Sequence, residues 1–350
     1  MSTPDDHTDR HPPGPAAPSS RQMPTPASPR MPIVPGPLMG AYPSVVVYLI
    51  GYFAVALLLS ILFAVFLGIL MAGGVVPPMP TGAFEGVGAD VEAILEIMSP
   101  YLLPIAIFLG LYSIIYTWLF MRLVDRRPLR SLGLRLRPGW MADFGKGVVM
   151  AAILLGIVFG FSLLTGAIRI EGFARPAPEG TSAVAYLIGA IVAFALIGAY
   201  EEIMFRGYVM QRLEERSGKF VAISISSIVF ALLHGANPGA SWFGIFNTIV
   251  IAVLLSALYY RSRSLWMPIG FHFGWNFLLG YAYSLPVSGI PIHGILNVVE
   301  VEPGTSPGAG YGPEADIGAT LAVAAWGAWM LWRYTRKRRR REATPPADSI

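Results

Sequence analysis

The sequence predicts an all-α membrane protein, a polytopic bundle of about eight transmembrane helices with both termini in the cytoplasm. Three observations carry this. Only 13% of the 350 residues are charged while 54% are hydrophobic, against a charged share of about 25% in soluble domains. The apolar residues fall in uncharged runs long enough to span a bilayer, which takes about 20 residues of helix. Finally, Lys and Arg alternate between connections: 23 lie on one side of the predicted bundle and two on the other. Positive residues stay on the cytoplasmic side, so that bias orients the chain.

Taken in order, residues 1–38 form a Pro-rich cytoplasmic tail with too little apolar content to order itself. The transmembrane domain follows at 39–335, with spans predicted at 44–71, 101–121, 147–167, 183–204, 220–234, 242–260, 265–283 and 317–332. The first run carries 28 residues without a charge. Pro77, Pro78 and Pro80 break the chain after it, and Asn237-Pro238-Gly239 marks the turn between spans five and six. The connection between spans two and three holds Arg122, Arg126, Arg127, Arg130, Arg135, Arg137 and Lys146. Residues 336–350 make a basic cytoplasmic tail, and seven of the 25 basic residues fall within 333–341. Basic residues directly after an apolar run mark a membrane-surface anchor, so the net charge of +4 does not point to nucleic acid. The chain has no cysteine, which excludes disulfides, thiolate metal sites and a cysteine nucleophile.

The chemistry concentrates on three helices. The apolar cores of spans one, two, three, six and eight carry no Asp, Glu, Lys, Arg or His. Span four ends in Glu201-Glu202-Ile203-Met204-Phe205-Arg206, span five ends in His234, and span seven contains His272. A charge near a bilayer centre costs about 2.5–3.5 kcal/mol on insertion scales, and such residues face one another or a cavity. Spacing refines the picture. Glu202 and Arg206 are i,i+4 and share a helix face, as do Phe230 with His234 and His272 with Asn276. Glu201 is turned about 100° from Glu202, free to point into the bundle. Together these groups offer a base for water, an imidazole to share it, and two donors for a developing oxyanion, the set that hydrolyses an amide. Each pair also has a structural reading on its own: an interfacial ion pair for Glu202 and Arg206, helix contacts for His234 and for His272 with Asn276. Asn247 in span six reads as such a contact. Joint occurrence on three helices, with the others clean, favours a site.

Glu-Glu-x-x-x-Arg, Phe-x-x-x-His and His-x-x-x-Asn, each on its own membrane helix, resemble the CPBP family of intramembrane glutamic proteases. That family takes in the type II CAAX prenyl endopeptidases and bacterial bacteriocin-processing and immunity relatives. The likeness rests on Glu201, Glu202, Arg206, Phe230, His234, His272 and Asn276, and a protease core of about 183–283. It implies peptide-bond hydrolysis with Glu201 and His234 activating water, His272 and Asn276 at the oxyanion, and Glu202, Arg206 and Phe230 in support. It implies no metal or other cofactor, and as partners membrane lipids and a peptide or lipidated protein substrate. The Ala/Gly/Arg-rich composition adds an expectation of a bacterial plasma membrane. The oligomeric state stays open.

Two other readings remain. A zinc metalloprotease could use His234, His272 and a Glu, although the sequence contains no H-E-x-x-H. A non-catalytic transport or immunity partner could use the same polar cluster, against which stands the lack of internal repeats. His7 and His11 in the tail, and His293, Glu300 and Glu302 in a late loop, read as solvated. One tension is depth. By helical rise, His234 lies about 20 Å from the boundary counted from Lys219, while Glu201 lies only a few ångströms inside it. The tension is resolved if residues 208–219 continue as cytoplasmic helix and turn.

Overall fold

The structure is a computed structural model that describes residues 37–73, 99–301, 310–327 and 336. The predicted amino-terminal tail up to residue 36, the loop 74–98, Glu302, and residues from 328 on apart from Arg336 lie outside the described residues.

The described residues are mostly helical. Helix α1 runs Ala41–Ala72, α2 Leu102–Phe120, α3 Trp140–Leu164, α4 Ala183–Glu202, α5 Met210–His234, α6 Trp242–Ser262 and α7 Trp266–Phe277. A last apolar helix, α8, covers Ile317–Gly327. Three π-helical turns follow α2, α4 and α7, at Met121–Asp125, Ile203–Val209 and Leu278–Ala282. Among the described residues, five helical stretches are long and apolar enough to cross a membrane. One of them, Ala183–His234, is 52 residues long and takes in predicted spans four and five. It folds back on itself, because Ser226 Oγ donates to the carbonyl of Phe205 at 3.1 Å. Gly218 makes the break within α5 at φ 76° and ψ 168°, a conformation that side-chain-bearing residues avoid. Helix therefore continues past Arg206 before the chain re-enters the bundle, which removes the depth tension.

Apolar side chains cover the outside as well as the core: Ile50, Leu57 and Leu62 on α1 and Ile153 and Ile157 on α3 are all exposed. Such a surface suits lipid, and the chain is an integral, multi-pass membrane protein. Inside, small residues set the helix distances. A Cβ on Gly147 of α3 would stand 2.2 Å from the carbonyl oxygen of Met267, and one on Gly270 of α7 would stand 2.1 Å from that of Phe144. These two helices therefore lie backbone against backbone. Gly198 does the same for α4, where a Cβ would meet the amide nitrogen of Phe273 at 2.9 Å. Helix α7 is thus wedged between α3 and the helix that carries the two glutamates.

One feature departs from the all-helical expectation. Strand β1, Ile168–Phe173, pairs antiparallel with β2, Leu296–Glu300, with Ile168 opposite Glu300 and a bulge between Ile170 and Gly172. The alternation Ile-Arg-Ile-Glu marks a half-buried strand, but its partner lies more than 120 residues away and has no local signal. The ribbon ties the connection after α3 to the one after α7.

Candidate active site

The two glutamates sit where α4 gives way to the π turn Ile203–Val209, every residue of which is buried. Wide turns of this kind occur often at functional sites. Glu202 is fully buried and Arg206 is 1% exposed. Arg206 Nη1 donates to Glu202 Oε1 at 2.9 Å, and its guanidinium lies 4.4 Å above the Phe230 ring. The pair is therefore sealed inside the protein, not placed at an interface. The same Glu202 Oε1 also accepts from His272 Nδ1 at 3.0 Å. Glu202 thus links α4 to α7 and orients the imidazole.

Glu201 faces the other way. Its Oε1 accepts from the Tyr200 hydroxyl at 3.0 Å. Its Oε2 lies 3.5 Å from His272 Nε2 and 3.9 Å from His234 Nε2. This oxygen is buried and has no hydrogen-bond partner among the described residues. His234 Nδ1 lies 2.9 Å from the Phe230 carbonyl. A carbonyl only accepts, so this nitrogen carries the proton and Nε2 is turned to Glu201 with a free lone pair. By the same reasoning His272 donates from Nδ1 to Glu202, and its Nε2 can donate only when the ring is an imidazolium. The Phe230 ring packs 4.5 Å from His234 and stands edge-on to His272 at 6.4 Å.

Asn276, 6% exposed, lies one turn beyond His272. Both line a cavity of about 40 Å³, together with His234, Thr248, Ser288 and Glu314. All seven residues singled out in the sequence therefore gather around one locus. Glu201, Glu202, Arg206, Phe230, His234 and His272 are in direct contact, and Asn276 joins through the cavity. Among the described residues, no three His, Asp or Glu side chains are arranged to hold a metal ion.

Sequence reasoning missed Tyr200 and Glu314. Tyr200 closes the uncharged run directly before Glu201, and that adjacency was the available signal. Glu314 reads as a loop acid, yet it is 8% exposed and reaches the cavity from between β2 and α8. Asn247 is the helix contact it was expected to be, since its Nδ2 donates to the carbonyls of Glu314 at 2.9 Å and Asp316 at 3.0 Å. The solvated reading of two other residues needs correction. His293 packs edge-on to Tyr186 at 6.1 Å and lies 3.4 Å from Ser99 Oγ; burial and the nearby Arg175 push its pKa down. Glu300 sits in the ribbon, where burial and the charge of Asp316 push its pKa up. Both occupy partly covered positions.

The description Type II CAAX prenyl endopeptidase Rce1-like belongs to a protein family whose model matches residues 183–278. Over that segment the chain is similar to this family. The Rce1-like segment starts with α4 and ends with α7, so it takes in Glu201, Glu202, Arg206, Phe230, His234, His272 and Asn276 but not Glu314. No curated protein matches the chain significantly. The match to the Rce1-like family, with the apolar helices, supports in general terms a membrane-embedded endopeptidase.

Proposed function

We propose that the chain hydrolyses a peptide bond within the membrane using water activated by Glu201 and His234. The observation that carries this reading is Glu201 Oε2, a buried carboxylate oxygen without a hydrogen-bond partner among the described residues that faces two imidazole Nε2 atoms. A water between Glu201 Oε2 and His234 Nε2 is within reach of a general base. Its oxygen adds to the scissile carbonyl carbon and its proton passes to Glu201. Negative charge then develops on the carbonyl oxygen, where an imidazolium His272 and the Asn276 carboxamide donate. One such donor is worth about 2.7–4 kcal/mol where measured. The C–N bond breaks as the leaving amine takes the proton from Glu201. Glu202 and Arg206 hold the His272 ring in place, and Phe230 packs between the guanidinium and both imidazoles.

The substrate is a peptide or lipidated protein that reaches the site from the bilayer or its surface, CAAX-like in chemistry, and the membrane is a bacterial plasma membrane. The test is cleavage of a farnesylated, internally quenched CAAX peptide by the full chain in proteoliposomes. Glu201→Gln keeps the shape, removes the base and is expected to lower kcat by about 10²–10⁴-fold. Cleavage that persists in this variant overturns the mechanism. Loss of wild-type cleavage with a chelator and its return with zinc would favour a metal-assisted reaction instead.

A further inference from the structure

Glu314 enters the site from outside the Rce1-like segment, and its carboxylate is fully engaged. Oε1 accepts from Trp275 Nε1 at 2.6 Å, and Oε2 accepts from the backbone amide and the hydroxyl of Ser288 at 2.6 and 2.8 Å. Burying a carboxylate is costly, and a glutamine or methionine would fill the same volume more cheaply. What a carboxylate adds is a set of short, charge-assisted acceptor contacts with fixed direction.

The segment that carries it is held just as firmly. Besides the two bonds from Asn247, Gly289 N donates to the Tyr311 carbonyl at 3.0 Å, and Tyr311 is 1% exposed. Gly312 has φ +99°, and a Cβ there would stand 2.3 Å from the Pro286 carbonyl oxygen. Residues 310–316 are therefore fastened to α6 and to the loop after α7.

The other end of the contact is what matters. Trp275 follows His272 by three residues and precedes Asn276, so one short helix carries the indole and two of the four predicted catalytic groups. Helix α7 has only 12 residues and passes at once into a π turn, whose hydrogen bonding is less regular. At its start α7 is wedged by Gly147 and Gly270 of the α3 contact, and in its middle His272 is tied to Glu202. At its end, the Trp275 indole on Glu314 is the polar anchor.

We infer that Glu314 is a positioning residue for this site. Through Trp275 and Ser288 it fixes the rotation of α7 that presents His272 and Asn276 to Glu201. This rests on the hydrolytic reading above. The experiment uses the full chain in proteoliposomes with the farnesylated quenched peptide, comparing Glu314→Gln, Trp275→Phe and the double variant. Glutamine turns an amide donor toward Ser288 N–H, while phenylalanine keeps an aromatic ring beside Phe271 and removes the donor together with part of the indole's volume. Each single change is expected to lower kcat by about 10–100-fold, the scale of a 1 Å misplacement, with KM little changed. The double variant should be no slower than the slower single, because both break one contact. A second readout needs no substrate: diethyl pyrocarbonate labelling of His272, read by mass spectrometry, should speed up in both variants. Wild-type kcat and labelling in folded Trp275→Phe overturn the inference, and so do additive losses. Should Glu314→Gln fail to fold, Trp275→Phe decides alone. Full activity in Glu201→Gln would instead bring down the hydrolytic reading itself.

Discussion

Two buried arginine–carboxylate clusters lie six residues apart along the chain, and one of them adjoins the candidate site. Arg212, 4% exposed, pairs with Asp125 at 3.2 Å, and the same Nη2 reaches Ser44 Oγ at 3.1 Å and the Met39 carbonyl at 3.4 Å. Its Nη1 donates to Glu215 at 2.6 Å, and Glu215 is shared with Arg127. Those contacts pin the start of α1 to the π turn after α2 and to the start of α5. The Arg206–Glu202 pair is equally buried, but its carboxylate also holds an imidazole from another helix. Its neighbour Glu201 presents an oxygen that has no hydrogen-bond partner among the described residues. A buried ion pair alone is thus a clamp. It becomes chemistry when a second carboxylate and imidazoles face a shared space.

The largest expected effect sets the two clusters against each other. Arg206→Met and Arg212→Met each strand a buried carboxylate and should destabilise the protein by about 3–5 kcal/mol, measured by denaturant or thermal unfolding in detergent. Activity normalised to the folded fraction should collapse only for Arg206→Met. Equal specific activities in the two variants would erase the distinction. Next, Gly198→Val pushes α7 off α4 and should cost about 1–3 kcal/mol of stability while cutting kcat by about 10²-fold. Retained activity there would mean that the close approach of the two helices is not what couples His272 to Glu202. A smaller effect is expected at the rim of the clamp. Glu215→Gln removes a partly exposed partner and should change stability by about 0–1 kcal/mol without altering kcat.

The smallest effect lies far from both clusters. The raised pKa of Glu300, from burial and then Asp316, means that the folded protein favours its protonated form. Its contribution is fully present below the ordinary glutamate value and is lost as pH rises through the folded-state value. Glu300→Gln should therefore raise the melting temperature at neutral pH and leave it unchanged near about pH 4. A gain at both pH values would point to packing instead of charge.

How much could be read in advance follows from range. Glu202 with Arg206, Phe230 with His234 and His272 with Asn276 were legible because helical spacing puts i and i+4 on one face and an apolar span has no other use for such groups. The pairing of His272 with Glu202 was not, because 70 residues separate them and helical spacing says nothing about contacts between helices. The β1–β2 ribbon and the insertion of Glu314 were hidden for the same reason, each depending on a loop meeting a distant surface.

The sequence by itself determined that this is an apolar helical chain with polar pairs on three helices, since composition and period act locally. Only the tertiary structure decided that the clamped Glu202 also holds His272 and that Glu201 Oε2 faces both imidazoles. Gly198 lets α4 approach α7 to backbone contact, and at that distance Glu202 is spent on Arg206 and His272 while Glu201 is left facing the imidazoles.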